Sequence, residues 1–295
     1  MERRKIYPLR DDFVFKFVFG KPGNEGILAR LLDALLHFEG DRCIEELELI
    51  SPLNLQQCRD DKFTIVDVRA FDRRGRRFSI EMQVSADPVF EKRMAYYLAL
   101  LYAGQLRKGE PFDGLCPAYG IAVLDFVLFP CRERFESGYV FREMDTGEIL
   151  PDLMELHFVE LPKYQVRRRA LRTRLEKWLY ILKFGERYAA DQPLPDDITA
   201  ERELTMAIDE LRRVNADEQM RAILEQRDKE ERIQLTRLKA AESRGIEKGI
   251  AKGISDERAS VARRMLDMGC EDAMILRATG LTQDGLEHVK RAKGC

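Results

Sequence analysis

Histidine is scarce in this chain, and its cysteines are widely spaced. The 295 residues include three His, at positions 37, 157 and 288, and six Cys, of which no two are separated by only two residues. This spacing excludes the usual zinc-binding patterns and gives no indication of a disulfide framework. We therefore expect reduced thiols in a cytoplasmic protein.

Long apolar segments are also lacking. No run of about 18 apolar residues occurs, so we expect no membrane span. The chain begins with MERRKIYPLRDD, which contains no apolar signal region. The formal net charge is −2, which argues neither for nor against a nucleic-acid partner, because local basic patches decide such binding. Hydrophobic residues make up 45% of the chain, enough for one large domain or two ordinary ones.

The first part of the chain mixes strand and helix patterns. Residues 118–129 are almost continuously apolar, which predicts a central strand covered on both faces. Flanking patterns predict strands at 44–50 and 154–161, helices at 23–38 and 87–108, and a short helix or turn at 11–20. This order favours an α/β fold with a mixed sheet flanked by helices.

From residue 167 onward every pattern is helical. The Pro- and Asp-rich segment DQPLPDDI (191–198) is the best candidate boundary, which gives an α/β domain at 1–190 and a helical region at 191–295. Within the helical region we predict helices at 199–214, 217–243, 256–268, 271–278 and 283–292. The stretch ILRATGLTQDGLEHV resembles a helix-turn-helix step, with a small structural or oligomerising bundle as the alternative.

A glycine repeat, RGIEKGIAKGI, occupies residues 244–254. Gly245, Gly249 and Gly253 recur every four residues, and each precedes an isoleucine. One interpretation is close packing against another helix, for example in a second subunit; the other is a flexible joint, since each glycine costs a helix about 1 kcal/mol relative to alanine. We expect a homo-oligomer formed through residues 217–295.

Residues 62–85 are typical of a β-hairpin, with two runs that alternate between apolar and polar residues. A loop centred on Arg74 would place Asp67 directly opposite Glu81 on one face of the sheet. Facing carboxylates repel unless a positive group lies between them, and a hard divalent cation is the natural candidate. The alternative is an ordinary sheet with a solvent-facing polar side.

Three further features of the hairpin fit phosphodiester hydrolysis, in which one or two Mg²⁺ ions supply most of the catalysis. The backbone carbonyl of Met82 is a further candidate metal ligand beside Glu81. Gln83 returns to the same face and could orient water or the scissile phosphate, although it is neutral. The basic tip residues are candidate contacts to a phosphate backbone, with a solvated turn as the alternative; they are Arg73, Arg74, Arg76 and Arg77.

Four stretches together resemble one known family. They are DDFVFKFVFG with Asp12 and Lys16, the hairpin TIVDVRAFDRRGRRFSIEMQVS, the helix FEKRMAYYLALLYAGQLRKGEPF, and the glycine repeat followed by MLDMGCEDAMILRATGLTQDGL. The pattern D-x₁₃-E-x-Q on two adjoining strands resembles the PD-(D/E)XK nuclease superfamily. More narrowly, the chain resembles the Rpn recombination-promoting nucleases, also described as PD-(D/E)XK nuclease family transposases.

The resemblance implies a restriction-endonuclease-like fold and a DNA endonuclease that depends on Mg²⁺ or Mn²⁺ and is linked to recombination or mobile elements. It implies Asp67 and Glu81 as metal ligands and Gln83 at the third catalytic position, where the superfamily usually has lysine. Asp12 would be an acidic residue of the site carried by a helix, or else a helix N-cap. Lys16 would contact phosphate or pair with Asp12.

Arg93 and Tyr97 lie in the third of these stretches, the helix FEKRMAYYLALLYAGQLRKGEPF, and we expect structural roles for both. Two other functions stay open beside the DNA endonuclease. The neutral Gln83 and the long helical tail fit a catalytically weak DNA-binding or oligomerising protein that keeps the nuclease fold. Cleavage of RNA is the third possibility.

Overall fold

The chain divides into two compact units. The computed structural model describes residues 5–50, 67–165, 171–189 and 192–293. The first unit is Met1–Leu224 and the second is Glu225–Cys295. Within these described ranges, no helix has the length and apolar character that crossing a bilayer requires.

The first unit is built on a mixed sheet with the strand order β1-β2-β3-β4-β6-β5. β3, β4 and β6 run parallel to one another, whereas β1, β2 and β5 pair antiparallel with their neighbours. The predicted mixed sheet is therefore confirmed. The strands are β1 Glu48–Leu49, β2 Asp67–Phe71, β3 Arg77–Gln83, β4 Ala118–Leu124, β5 Glu136–Val140 and β6 Met154–Glu160.

The central strand agrees with the sequence pattern, and the edge strands differ from it. All residues of β4 are buried, as its continuous apolar run predicts. β1 is shorter than the predicted strand at 44–50, because Glu46 has a φ of 48°, which interrupts extended backbone. β5 was not predicted, since its exposed residues give no regular alternation.

Helices cover both faces of the sheet in the first unit. They are α1 Asp12–Phe19, α2 Glu25–Leu35, α3 Phe90–Ala103, α4 Arg174–Phe184, α5 Asp196–Thr199 and α6 Arg202–Ala216. α1, α2, α4 and α6 share one core with Ile80 and Val123 of the sheet. α3 packs through Phe90 and Met94 against Ala122. Because successive strand residues point to opposite faces, α3 lies on the other side of the sheet from α1.

α5 and α6 complete the core of the first unit. Leu204, Ile208 and Leu211 are fully buried. Asn215 near the end of α6 accepts a hydrogen bond from the Tyr7 backbone N at 2.8 Å, and its Nδ2 donates to the Tyr7 carbonyl at 3.0 Å. The units thus divide after Leu224, whereas the sequence favoured a boundary between residues 190 and 191.

One continuous helix, α7 (Glu218–Asp267), contains the glycine repeat. The predicted helices at 217–243 and 256–268 are therefore segments of one helix, and the repeat is no break in it. The residues on both sides are good helix formers, which offsets the cost of the glycines. α8 (Asp272–Thr279) and α9 (Gln283–Lys293) follow.

The end of α7 forms a small core with α8 and α9, in which Ala262, Ile275 and Leu286 are buried. Asp284 and Glu287 lie exposed in the first turns of α9. Lys290 and Arg291 follow on the same helix.

Arg76 in the hairpin tip is part of the fold. Its side chain is only 7% exposed, and its Nε donates to Asp72 Oδ2 at 2.6 Å. Its Nη1 donates to the Arg42 carbonyl at 2.8 Å, and its guanidinium lies 4.8 Å from the Phe38 ring centre. The expected contact of Arg76 with DNA is incompatible with this burial, whereas Arg74 is exposed.

We predict that Arg76→Ala lowers the free energy of unfolding by about 3–5 kcal/mol, because it leaves Asp72 buried and without its cation. The matched variant Arg74→Ala should change stability by less than about 0.5 kcal/mol, because Arg74 lies on the surface. Urea unfolding followed by circular dichroism measures both values. Similar losses for the two variants would contradict the structural role of Arg76.

Candidate functional site

The backbone register of the hairpin places the two predicted metal ligands opposite each other. β2 and β3 pair antiparallel, and the Cα atom of Asp67 has that of Glu81 as its partner. This register confirms the predicted loop centred on Arg74. The side chain of Asp67 lies outside the described part of the structure, so the side-chain contacts below are those of Glu81 and its neighbours.

Glu81 is a buried acid with an arginine partner. Its side chain is 1% exposed and lies on the face of the sheet that α3 covers. Arg93 of α3 places Nη2 at 2.9 Å from Glu81 Oε1 and donates from the same atom to Gln83 Oε1 at 3.1 Å. One guanidinium group therefore joins two of the predicted site residues.

The start of α3 holds Arg93 in place. Asp87 accepts a hydrogen bond from the Val89 backbone N at 3.0 Å, and its other oxygen lies 2.9 Å from Arg93 Nη1. The Phe90 ring centre lies 5.1 Å from the guanidinium carbon, within the range of a cation–π contact. These contacts point the guanidinium group toward the end of β3.

Gln83 has a defined orientation. Its Nε2 donates to the Ser85 carbonyl at 3.0 Å, while its Oε1 accepts from Arg93. The Gln83 backbone carbonyl accepts from the Asp125 backbone N at 2.9 Å, toward β4. Because successive carbonyls in a strand point to opposite sides, the Met82 carbonyl points toward β2, the strand of Asp67.

The segment that leads into α1 lies near the end of the central strands β3 and β4, where Gln83 is located. Arg10 Nε lies 3.2 Å from Asp125 Oδ2, and Asp125 directly follows β4 beside Gln83. Burial raises the pKa of Asp125, an effect that the nearby Arg10 opposes. Asp12 is the exposed first residue of α1, close in sequence to Arg10.

The helix cap of α1 is Asp11, which accepts from the backbone N of Phe13 at 3.1 Å and of Val14 at 3.0 Å. The alternative role of Asp12 as the N-cap is therefore wrong. Lys16, in the same helix, is 8% exposed. A lysine with so little exposure has limited reach toward a DNA backbone.

The basic residues of the hairpin tip do not converge with Glu81. Arg77 and Glu81 are four positions apart along β3, which corresponds to roughly 13 Å at about 3.3 Å per residue. Arg77 lies 4.7 Å over the Phe71 ring, and Arg73 Nη1 lies 3.5 Å from Glu46. Any phosphate that these side chains contact is distant from the one beside Glu81.

The oxygen donors at the hairpin suit a hard divalent cation such as Mg²⁺ or Mn²⁺, which prefers carboxylate and carbonyl ligands. Glu81 supplies a buried carboxylate and Met82 a carbonyl that points toward β2. Among the residues whose side chains the structure describes, no three His, Cys, Asp or Glu form a metal-binding group.

The sequence predicts a structural role for Arg93 and places Asp87 at the first position of the predicted helix 87–108. The structure places Arg93 beside Glu81 and Gln83, with Asp87 paired to the same guanidinium group. The signal in the sequence was an acid just before the helix that follows the hairpin and a cation in the first turn of that helix. That spacing alone does not show that the guanidinium group would reach across to β3.

Comparison with known proteins agrees with this arrangement of hairpin and helices. The family model of the PD-(D/E)XK nuclease family transposases matches residues 9–241, which include α1, the hairpin and α3. No curated protein and no solved structure shows significant similarity to the chain. The family match spans most of the sequence, and the fold fits the nuclease architecture. The chain therefore belongs to the PD-(D/E)XK nuclease family transposases.

Proposed function

We propose that this protein is a divalent-metal-dependent DNA endonuclease that acts in recombination or in the movement of mobile elements. The observation that carries the proposal is the register of Asp67 opposite the buried Glu81. A buried acid opposite a second acid is costly in an ordinary sheet and useful in a metal site. Family membership supports DNA as the substrate.

In this mechanism Asp67, Glu81 and the Met82 carbonyl would hold Mg²⁺ or Mn²⁺. The bound ion would polarise the scissile phosphate and lower the pKa of an attacking water. Gln83 orients that water or the phosphate through its amide group, but it is neutral and a weak base. Asp12, at the start of α1, would add negative charge at the same sheet edge.

Binding of the DNA backbone would use the exposed cations of the hairpin tip. Arg73 and Arg74 are exposed there, and Arg77 is partly exposed. Their distance from Glu81 suits phosphates away from the scissile bond. Lys16 is only 8% exposed, so we propose no direct DNA contact for it. The four cysteines within the described ranges are free thiols, which supports our proposal of a cytoplasmic protein.

We predict that the wild-type protein nicks supercoiled plasmid DNA in Mg²⁺ and that Asp67→Ala and Glu81→Ala lower the rate by at least about 100-fold, which corresponds to about 2.7 kcal/mol of transition-state stabilisation. Glu48→Ala is the matched control, because Glu48 is an exposed acid on β1 of the same sheet. Gel electrophoresis of timed reactions measures the nicking rate.

Equal nicking by the wild type and both site variants would contradict the enzymatic proposal. DNA binding without cleavage by the wild type would favour the catalytically weak DNA-binding protein, which the neutral Gln83 makes the second candidate. A parallel reaction with RNA of the same sequence distinguishes a ribonuclease, which would degrade RNA faster than DNA.

We also propose that the protein forms a homo-oligomer through its C-terminal helices, residues 217–295. Ile246, Ile250 and Ile254 on α7 are 56%, 58% and 49% exposed. Exposed isoleucines at this density are unfavourable in water unless a second surface covers them. A Cβ atom added at Gly249 would meet nothing within 4 Å, which leaves room for close approach of another helix.

We predict that Ile250→Glu converts the oligomer to a monomer without loss of helix content, because it places a charge within the apolar contact. Lys248→Glu, a charge change two residues away on α7, serves as the control and should keep the wild-type mass. Light scattering coupled to size-exclusion chromatography measures the mass. A wild-type protein that is monomeric at all concentrations would contradict the proposal.

A further inference from the structure

Arg93 lies where three oxygen-bearing side chains converge, at the end of β3 and the start of α3. Its Nη2 contacts Glu81 at 2.9 Å and Gln83 at 3.1 Å, and its Nη1 contacts Asp87 at 2.9 Å. The guanidinium group carries five N–H donors in a fixed planar fork, and these three contacts use three of them. The second N–H of Nη1 thus stays available for an anion, whereas Nε is buried.

The charges explain why a cation is needed at this position. Glu81 is almost completely removed from water, and an ionised carboxylate in such a place must be paired. Arg93 provides this pairing. It also brings positive charge to Gln83.

A divalent cation bound by Glu81 would stand within a few ångströms of the Arg93 guanidinium group. Two cations that close repel each other in a partly buried site, so a metal ion on Glu81 would weaken the bond between Arg93 and the same carboxylate. Arg93 is anchored at its other nitrogen by Asp87, which leaves it beside the site when it releases Glu81. A phosphate drawn in by the metal would then meet the released N–H donors, a geometry that guanidinium groups favour.

We propose that Arg93 is the counter-cation built into this site: it neutralises Glu81 before a metal binds, and it binds the scissile phosphate after the metal has displaced it. The inference rests on the proposed function only in taking Glu81 as a metal ligand. It makes Arg93 and a divalent metal competitors for one carboxylate.

The test is the affinity for Mn²⁺ alone, measured by isothermal titration calorimetry on the full chain at pH 8 without DNA. Arg93→Ala should bind Mn²⁺ at least about tenfold more tightly than wild type, equal to about 1.4 kcal/mol, because the competing charge is gone. Arg93→Lys should lie between the two. Lys92→Ala removes an exposed cation from the adjacent position on α3 and should match wild type.

Plasmid cleavage by the same proteins should change in the opposite direction, with Arg93→Ala at least about tenfold slower than wild type. Tighter metal binding together with slower cleavage separates this role from a purely structural one, which would weaken both. Unchanged or weaker Mn²⁺ binding by folded Arg93→Ala would overturn the proposal.

Asp87→Asn provides a second test if Arg93→Ala does not fold. Loss of the Asp87 charge leaves Arg93 more strongly bound to Glu81, so Mn²⁺ binding should weaken by about threefold or more, and an unchanged affinity would overturn the inference.

If the affinity shifts occur but the wild-type protein does not cleave DNA, the endonuclease proposal is rejected and the role of Arg93 is kept. Cleavage by wild type without the shifts would reject only the role of Arg93, and absence of Mn²⁺ binding from all variants would reject both.

Discussion

The negative charge of Glu81 is the constraint on which this structure depends. A carboxylate that is 1% exposed costs several kcal/mol unless a cation or several hydrogen-bond donors compensate it. Arg93 compensates the charge of Glu81, and Asp87 and the Phe90 ring hold Arg93 in position. This ion pair joins α3 to β3 and orients Gln83, while Phe90 and Met94 pack α3 on the sheet.

The sheet provides the rigid support for this pair. β3 lies between β2 and β4, with its apolar residues turned into the core that α1, α2, α4 and α6 share. Its polar residues Glu81 and Gln83 lie on the opposite face, which α3 covers. Because a slip of one residue would exchange the two faces, the large core fixes the register and with it the opposition of Asp67 and Glu81.

Sequence patterns predicted this register because two simple constraints determine it: the alternation of side chains and the length of the loop. The sequence predicts two helices, 217–243 and 256–268, where the structure has the continuous helix α7. The low helix propensity of the glycines was given more weight than the helix formers on both sides. β5 was missed because its exposed residues carry no periodic signal. The roles of Arg76 and Arg93 could not be read from the sequence, since their partners Arg42 and Glu81 are brought near only by the fold.

We propose that Asp67 and Glu81, which face each other across the hairpin, bind one metal ion. Anomalous diffraction from crystals of the full chain soaked in Mn²⁺ tests this claim most directly. We predict a peak bonded to both carboxylates and to the Met82 carbonyl oxygen, and no such peak in Glu81→Ala crystals treated in the same way. An ordered hairpin without a peak in the wild-type crystals, or an equal peak in the variant, would contradict it.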